Sequence, residues 1–501
     1  MSRDVHGTRS AEVLNGGNHG ISEGHRRTIG LQVSLLCFML FWYGILLWAS
    51  SPKSAPKLDL TFNSMLDHLL HGQFDVDPQM VGSEGFLRNG HVYAYWGIWC
   101  ALLRFPLWFL GRMNTDITLW SILGSVCLAG MARVRTAILV WRHGAHNRTA
   151  KSAYDLMLAY AVLGAGEIGF LKVSIYQEAV SWGAAFAAVF VYFAIKGLIT
   201  RRFDALTLSW MALCAGLALL TRVSTGVGLI LAFGFLLLAL AAESVANSAD
   251  SHGHLIPRIL RALVEQRFLL SLGILSICIA ATGAVNYFRW GNPRTFADFR
   301  FYLMNRLYPD RVARTQVYGV FNLHRIPLGL VYYFFPIWVI RTSGGALLFE
   351  QTQARLLDFA ELPPSSFLVT DLLPMCFILF LVLALRRRRS VGLAPFSQWA
   401  PIAGGLLAPC ILMLTFGSMA YRYRMEFYPE IDFLALLGLY AILTDEKLQT
   451  KFGQRKVWME AALIISIICS FTALILYWKA PWGPVQDAIQ HGIVHGRFLI
   501  L

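Results

Sequence analysis

The sequence predicts an all-α, polytopic integral membrane protein of about eleven transmembrane helices plus two re-entrant or interfacial helices. Three observations carry that prediction. Of the 501 residues, 56% are hydrophobic and only 14% charged, where a soluble domain carries about 25% charged residues. Mean hydropathy is +0.54. Apolar runs of about 18–25 residues, the length that crosses a hydrocarbon core, recur along the whole chain. A transmembrane β-barrel is excluded, because it would alternate in short segments of about ten residues.

The net charge of +14 implies no nucleic acid. Lys and Arg gather between apolar segments, where the positive-inside bias and the anionic headgroups of membrane lipids account for them. The 8 cysteines all lie in apolar stretches, without a CxxC pair or metal spacing, and read as small core hydrophobes. The 13 histidines include no HExxH, so no zinc site is inferred.

In chain order, residues 1–28 are polar and rich in Gly, His and Arg, and are expected as a disordered cytosolic tail. A membrane domain is expected over 29–480, with outer loops 50–116 and 289–368, and a short outer tail over 481–501. Leu31–Ala49 follows Arg26 and Arg27 and reads as a retained first span with the N-terminus inside. Further spans are expected at 117–140, 154–171, 179–199, 206–221, 226–243, 268–288, 369–385, 399–417, 428–444 and 457–478. The stretches 93–110 and 326–340 are short, aromatic-rich and interrupted by Pro106 and Pro336. If neither crosses, the basic clusters at 133–151, 201–202, 258–267, 386–389 and 447–456 all fall inside, so both are read as re-entrant or interfacial. Glu167, an acid within an expected span, either pairs with Arg133 or Arg135 or faces the bundle interior.

Leu58–Arg104 gathers five carboxylates, Asp59, Asp67, Asp75, Asp77 and Glu84. Acids beside a membrane are costly near lipid and call for a reason. Asp59 opens an amphipathic helix, so it reads equally as an N-cap or as a functional acid. Asp75 and Asp77, in QFDVDP, stand at alternate positions, where they either share a cation or serve as turn acids. The loop 289–325 carries seven Arg against two Asp, and the rigid donor fork of arginine suits phosphate.

Five stretches in this order resemble motifs of bacterial membrane glycosyltransferases of the GT-C superfamily, which includes protein mannosyltransferases and lipid A aminoarabinose transferase. They are NGHVYAYWGIWCALLRFPL after the acidic loop, VSIYQEAVSWGAAFA, LALLTRVSTGVGLIL, NYFRWGNPRTF and YRYRMEFYPEIDFLALLGL. The chain departs from the pattern at Trp99 and Val223, where a typical member has Pro, and lacks the adjacent Asp-Glu pair of some members.

The resemblance implies a GT-C-like fold and transfer of a sugar, with inversion, from a polyprenyl-phosphate donor to an extracytoplasmic envelope glycan, lipid or protein. It also implies the bacterial inner (plasma) membrane, with the site facing the periplasm or exterior. Such chemistry asks for a carboxylate to take the acceptor proton. It also asks for cations, either Arg or a divalent metal such as Mg or Mn, on the departing phosphate. Asp59 matches the family acid and is the first candidate base, with Glu84 second. Asp75, Asp77 and Glu178 are candidate metal or acceptor ligands, and Glu178 reads equally as a helix-start acid. Arg222, Arg289, Arg422 and Arg424 are candidates for lipid phosphate, or headgroup anchors. Tyr93, Tyr95 and Trp96 are candidates for stacking on sugar or lining a lipid groove, or belt aromatics. The rival readings are a transporter or flippase of lipid-linked sugars, or an inactive GT-C-like assembly partner.

Overall fold

The computed structural model describes residues 10–51, 57–247, 265–335, 356–386 and 395–479, with 165, 308, 358, 362 and 363 excepted, and the isolated positions 256 and 258. The expected tail 481–501, most of the basic cluster 386–389, much of 258–267 and the second part of 326–340 lie outside the described residues. Among the described residues eleven long helices are found, one for each expected span: α1 Ser10–Ser50, α2 Thr118–Arg142, α3 Arg148–Leu163, α4 Ile175–Thr200, α5 Ala205–Leu219, α6 Val223–Asn247, α7 Gln266–Trp290, α8 Leu372–Arg386, α9 Phe396–Thr415, α10 Tyr428–Thr444 and α11 Lys456–Lys479. Seven of them are long and apolar enough to cross a membrane, beginning with Thr28–Ser50 of α1. This is an all-α, polytopic membrane protein.

Local chemistry sets the helix ends. Asn147 caps α3 by accepting from Ala150 N at 2.9 Å, and Asp204 caps α5 by accepting from Thr207 N at 2.8 Å. Where two helices touch closely, small residues allow it. A Cβ on Gly405 of α9 would lie 2.1 Å from the backbone nitrogen of Ala232 in α6.

The first aromatic stretch does not cross. Asn63, before the first, donates to the carbonyls of Met113 and Thr115, after it, at 2.7 and 2.9 Å. The chain therefore enters and leaves 93–110 at one end of the bundle, through the short helices Trp99–Leu102 and Phe105–Phe109. Of the second stretch the described part is the helix Ile326–Phe334. Arg325 before it donates to Thr415 O, and Glu361 N after it donates to Met419 O, both next to the end of α9. At the opposite end, Asn147 donates to Gln449 Oε1 at 2.6 Å, joining the basic α2–α3 turn to the basic α10–α11 turn. The loops that hold Asn63 to Thr115, Arg325 and Glu361 thus share one end, here called the loop end, and these basic turns share the other.

The span expected at 154–171 differs from the helix that forms. α3 stops at Leu163 because Gly164 and Gly166 take positive φ, and Glu167–Phe170 follow as a 3-10 turn. At 16 residues α3 is about 24 Å long, short of the about 30 Å hydrocarbon thickness. α8 and α10, with 15 and 17 residues, are comparably short. Their ends meet in a buried polar network. Arg133 of α2 holds Glu167 through two bonds of 2.6 and 2.5 Å and Asp432 through a third of 2.5 Å, while Arg135 is exposed. Asp371, just before α8, accepts from Tyr160 at 2.6 Å, Arg424 at 2.5 Å and Tyr428 at 3.3 Å. Non-helical backbone at membrane depth is tolerated where protein groups satisfy it. Gly166 N, which donates to Ser470 Oγ at 2.7 Å, is an instance.

Candidate functional site

At the loop end, four segments close around a cavity of about 560 Å³. The first is the acidic loop. Its hairpin pairs Phe86–Arg88 with His91–Tyr93 across an Asn89-Gly90 turn, both residues at positive φ. The chain then runs through Tyr95–Ile98 against the turn between α5 and α6, where Trp99 N donates to Leu220 O at 3.0 Å. Gly97 makes that approach feasible, since a Cβ there would lie 2.1 Å from Leu220 O. The α5–α6 turn brings Arg222, the end of α7 brings Arg289, the following turn brings Arg294, and the 3-10 segment Tyr421–Glu426 brings Arg422 and Tyr423.

Among the described residues those four arginines are the only charged side chains on the wall, and no carboxylate lines it. Apolar residues such as Leu220, Val223, Val285, Met413 and Phe416 supply most of the rest. Arg222 pairs through Nε with Glu426, which also accepts from Ser224 Oγ and Thr225 Oγ1 at 2.7 Å each. Arg422 pairs with Glu361 at 2.7 Å. Both guanidiniums flank one ring, at 5.2 and 5.3 Å from the centre of Tyr423. Arg289 is 2% exposed and donates to Trp96 O at 2.8 Å and to Met65 Sδ at 3.4 Å. Among the described residues it has no carboxylate partner, and its Nε makes no hydrogen bond. Tyr95 and Trp96 line the same cavity, stacked on each other at 4.5 Å.

The other candidates are placed differently. Arg424 lies behind the cavity wall, bound to Asp371 and Thr370 at 2.5 Å each and to Tyr421 at 2.9 Å. Glu178 is fully buried against Arg104, which grips both of its oxygens, one of them at 2.7 Å. Asp75 is partly desolvated, but it accepts from His68 and His91 at 2.8 and 2.6 Å, and against that desolvation these bonds hold its carboxyl below the usual range. Asp77 instead caps the short helix Pro78–Val81 by accepting from Gln79 N at 2.8 Å, so the two acids are engaged separately. Among the described residues no group of three or more His, Cys, Asp or Glu side chains is arranged to hold a metal ion. Tyr93 stands beside Trp290, ring centres 5.9 Å apart, outside the cavity wall.

Of the two candidate bases, Asp59 is 2% exposed and does not reach the cavity. It does not cap its own helix. Its Oδ1 accepts from Ile175 N at 3.0 Å, at the start of α4, and its Oδ2 has no partner among the described residues. Burial raises its pKa from 3.8 to about 7, against the lowering by that backbone bond. Glu84 stands nearer. It accepts from Tyr302 at 2.8 Å and faces the hydroxyl of Tyr176, whose ring is part of the cavity wall. Sequence reasoning did not single out Arg104, Glu361, Glu426, Tyr176, Tyr423 or Arg294 for the site. Arg294 lies in the arginine-rich loop and was visible there, whereas the partners of the buried pairs carry no local signal.

No family model and no curated protein matches the chain. Among solved structures the chain is similar to the archaeal oligosaccharyltransferase AglB from Archaeoglobus fulgidus, solved in complex with an inhibitory peptide and a dolichol-phosphate. Identity is 14%, the TM-score is 0.44, and the match covers 90% of this chain but 55% of the AglB chain, so this protein spans about half the length of that structure.

Proposed function

We propose that this protein is a GT-C-like membrane glycosyltransferase that moves a sugar from a polyprenyl-phosphate-linked donor to an acceptor at the loop end. The observation that carries the reading is the cavity, with four arginines and no acid among the described residues of an otherwise largely apolar wall. That combination suits an amphiphile with an anionic head, since cations meet the phosphate while the wall takes the chain. A departing lipid phosphate gathers negative charge, and cations fixed beforehand in a water-poor site stabilise it. The acceptor oxygen bonds to the anomeric carbon as the carbon–oxygen bond to the phosphate breaks, and a carboxylate takes the acceptor proton. Glu84 is assigned that role, because it stands next to the aromatic wall while Asp59 caps α4. Tyr95 and Trp96 are assigned to the sugar or the lipid. No step is assigned to Mg or Mn, since Asp75 and Asp77 are engaged separately.

The basic turns at the opposite end suit the cytoplasmic side by the positive-inside bias, a reading in which the cavity faces the periplasm or exterior. The acceptor is then an envelope glycan, lipid or protein. The test is transfer by purified, lipid-reconstituted protein from a panel of polyprenyl-phosphate sugars, comparing Glu84→Gln with Asp59→Asn. Turnover lost in Glu84→Gln with donor still bound supports the reading. Donor movement across the bilayer without transfer overturns it in favour of a transporter.

A further inference from the structure

Among the described residues the cavity holds four guanidiniums but only two uncompensated charges. Arg222 is neutralised by Glu426 and Arg422 by Glu361. Each of those pairs presents a dipole and spare donors to a ligand, not a full charge. Arg289 and Arg294 are different. Among the described residues neither has a carboxylate partner: Arg289 is held by a carbonyl and a sulfur, and the Arg294 side chain makes no bond. They sit at two depths of one wall, Arg289 buried at the end of α7 and Arg294 exposed at the mouth. The turn between them is fixed, because Gly291 ends α7 at φ 73° and Asn286 donates to Pro293 O at 3.1 Å.

A ligand whose lipid link bears one negative charge meets the buried Arg289 and forgoes a charge-assisted contact with Arg294 at the mouth. A lipid diphosphate link bears two, one for each of the two unpaired arginines on the wall. We propose that the donor of this cavity is a lipid diphosphate-linked sugar, not the monophosphate-linked sugar that the sequence resemblance implies. This rests on the reading of the cavity as the donor site.

The test uses the full-length protein in nanodiscs of zwitterionic lipid at low salt. Binding is compared for a short prenyl monophosphate esterified to a neutral sugar, which bears one charge, the matching prenyl diphosphate-linked sugar, which bears two, inorganic pyrophosphate, and a prenyl monophosphate carrying an acidic sugar. The diphosphate lipid is expected to bind about tenfold or more tighter than the monophosphate lipid, the gain of one further charge-assisted contact. Arg294→Gln is expected to bring that ratio close to one by weakening the diphosphate alone. Because Arg294 is exposed and holds no structural bond through its side chain, this variant keeps its fold. Equal or tighter binding of the plain monophosphate overturns the inference and leaves the donor reading standing. A monophosphate with an acidic sugar that binds as well as the diphosphate also overturns it, moving the second charge to the sugar. Inorganic pyrophosphate is expected to bind far more weakly, and equal binding would overturn the lipid part of the assignment. Binding of neither lipid overturns the donor reading itself, and the inference with it.

Discussion

The Asp59 carboxylate accepts a hydrogen bond from the Ile175 backbone N–H at 3.0 Å, across 116 residues, and so ties the first loop to the first turn of α4. The bond favours the ionised carboxylate, but burial outweighs it and raises the pKa from 3.8 to about 7. The unfolded chain therefore releases this proton near pH 3.8 and the folded one near pH 7. Between those values the folded state binds more protons, so this group's contribution to stability falls as pH rises through the window. Purified protein is expected to melt higher at about pH 5 than at about pH 7.5 on this account. Asp59→Asn keeps an oxygen acceptor for Ile175 and removes the titration, so its melting temperature should vary less over the same range. An unchanged slope in the variant would place the titration on another group.

Arg104 and Glu178 are both fully buried, and each is the other's main partner. Removing one member of such a pair leaves a charge in the interior and costs about 3–5 kcal/mol. Arg104→Gln and Glu178→Gln should each lower the melting temperature clearly. The double replacement Arg104→Met with Glu178→Leu should recover much of the loss, since it leaves no stranded charge. A single variant with wild-type stability would argue that Glu178 is held for another purpose, such as the ligand role its place at the start of α4 suggests.

The difference between these two acids and the helices shows where sequence reading reaches. All eleven long helices were legible, because apolar length is a local property of the chain. That 93–110 enters and leaves at one end was legible too, through the distribution of Lys and Arg on either side. The break at Gly164 and Gly166 was written in the sequence but masked by the apolar residues around it, so the expected span ran about a turn or two too far. Pairings were not legible. Glu178 meets Arg104 from 74 residues away and Glu426 meets Arg222 from 204 away. Nothing near Asp75 in sequence says that His91 and not Asp77 will be its partner.

Gly97 is where the first loop and the α5–α6 turn come closest, and the reading of the cavity depends on that contact. A methyl group at this position meets backbone, the Leu220 carbonyl and the Thr221 nitrogen, not a flexible side chain. Gly97→Ala must therefore move Trp96 or Arg222, both of which line the cavity. A displacement of about 1 Å in a positioning element can cost on the order of a hundredfold in rate. Transfer activity is expected to fall by at least about tenfold while the helical content, read by circular dichroism, is retained. Full activity in this variant would separate the loop contact from the site.

Arg422 and Arg424 stand two residues apart in YRYRME and carry the same charge, yet the 3-10 turn Tyr421–Glu426 sends them to different places. Arg422 reaches the cavity wall, 4.7 Å from the ring centre of Tyr176 and paired with Glu361. Arg424 turns inward, where Asp371, Thr370 and Tyr421 take its donors and Phe367 lies beneath it at 4.2 Å. The two substitutions should separate accordingly. Arg424→Gln strands Asp371 and should destabilise by about 3–5 kcal/mol, with donor affinity of the surviving folded protein little changed. Arg422→Gln should weaken donor binding and flatten its dependence on salt, because losing the partner of Glu361 leaves that negative charge uncompensated near the ligand. Its effect on stability should be the smaller of the two, since Glu361 keeps the backbone N–H of Tyr421 at 2.8 Å. If Arg424→Gln instead lost donor binding at full stability, the buried network beneath the cavity would have to be counted as part of the binding site.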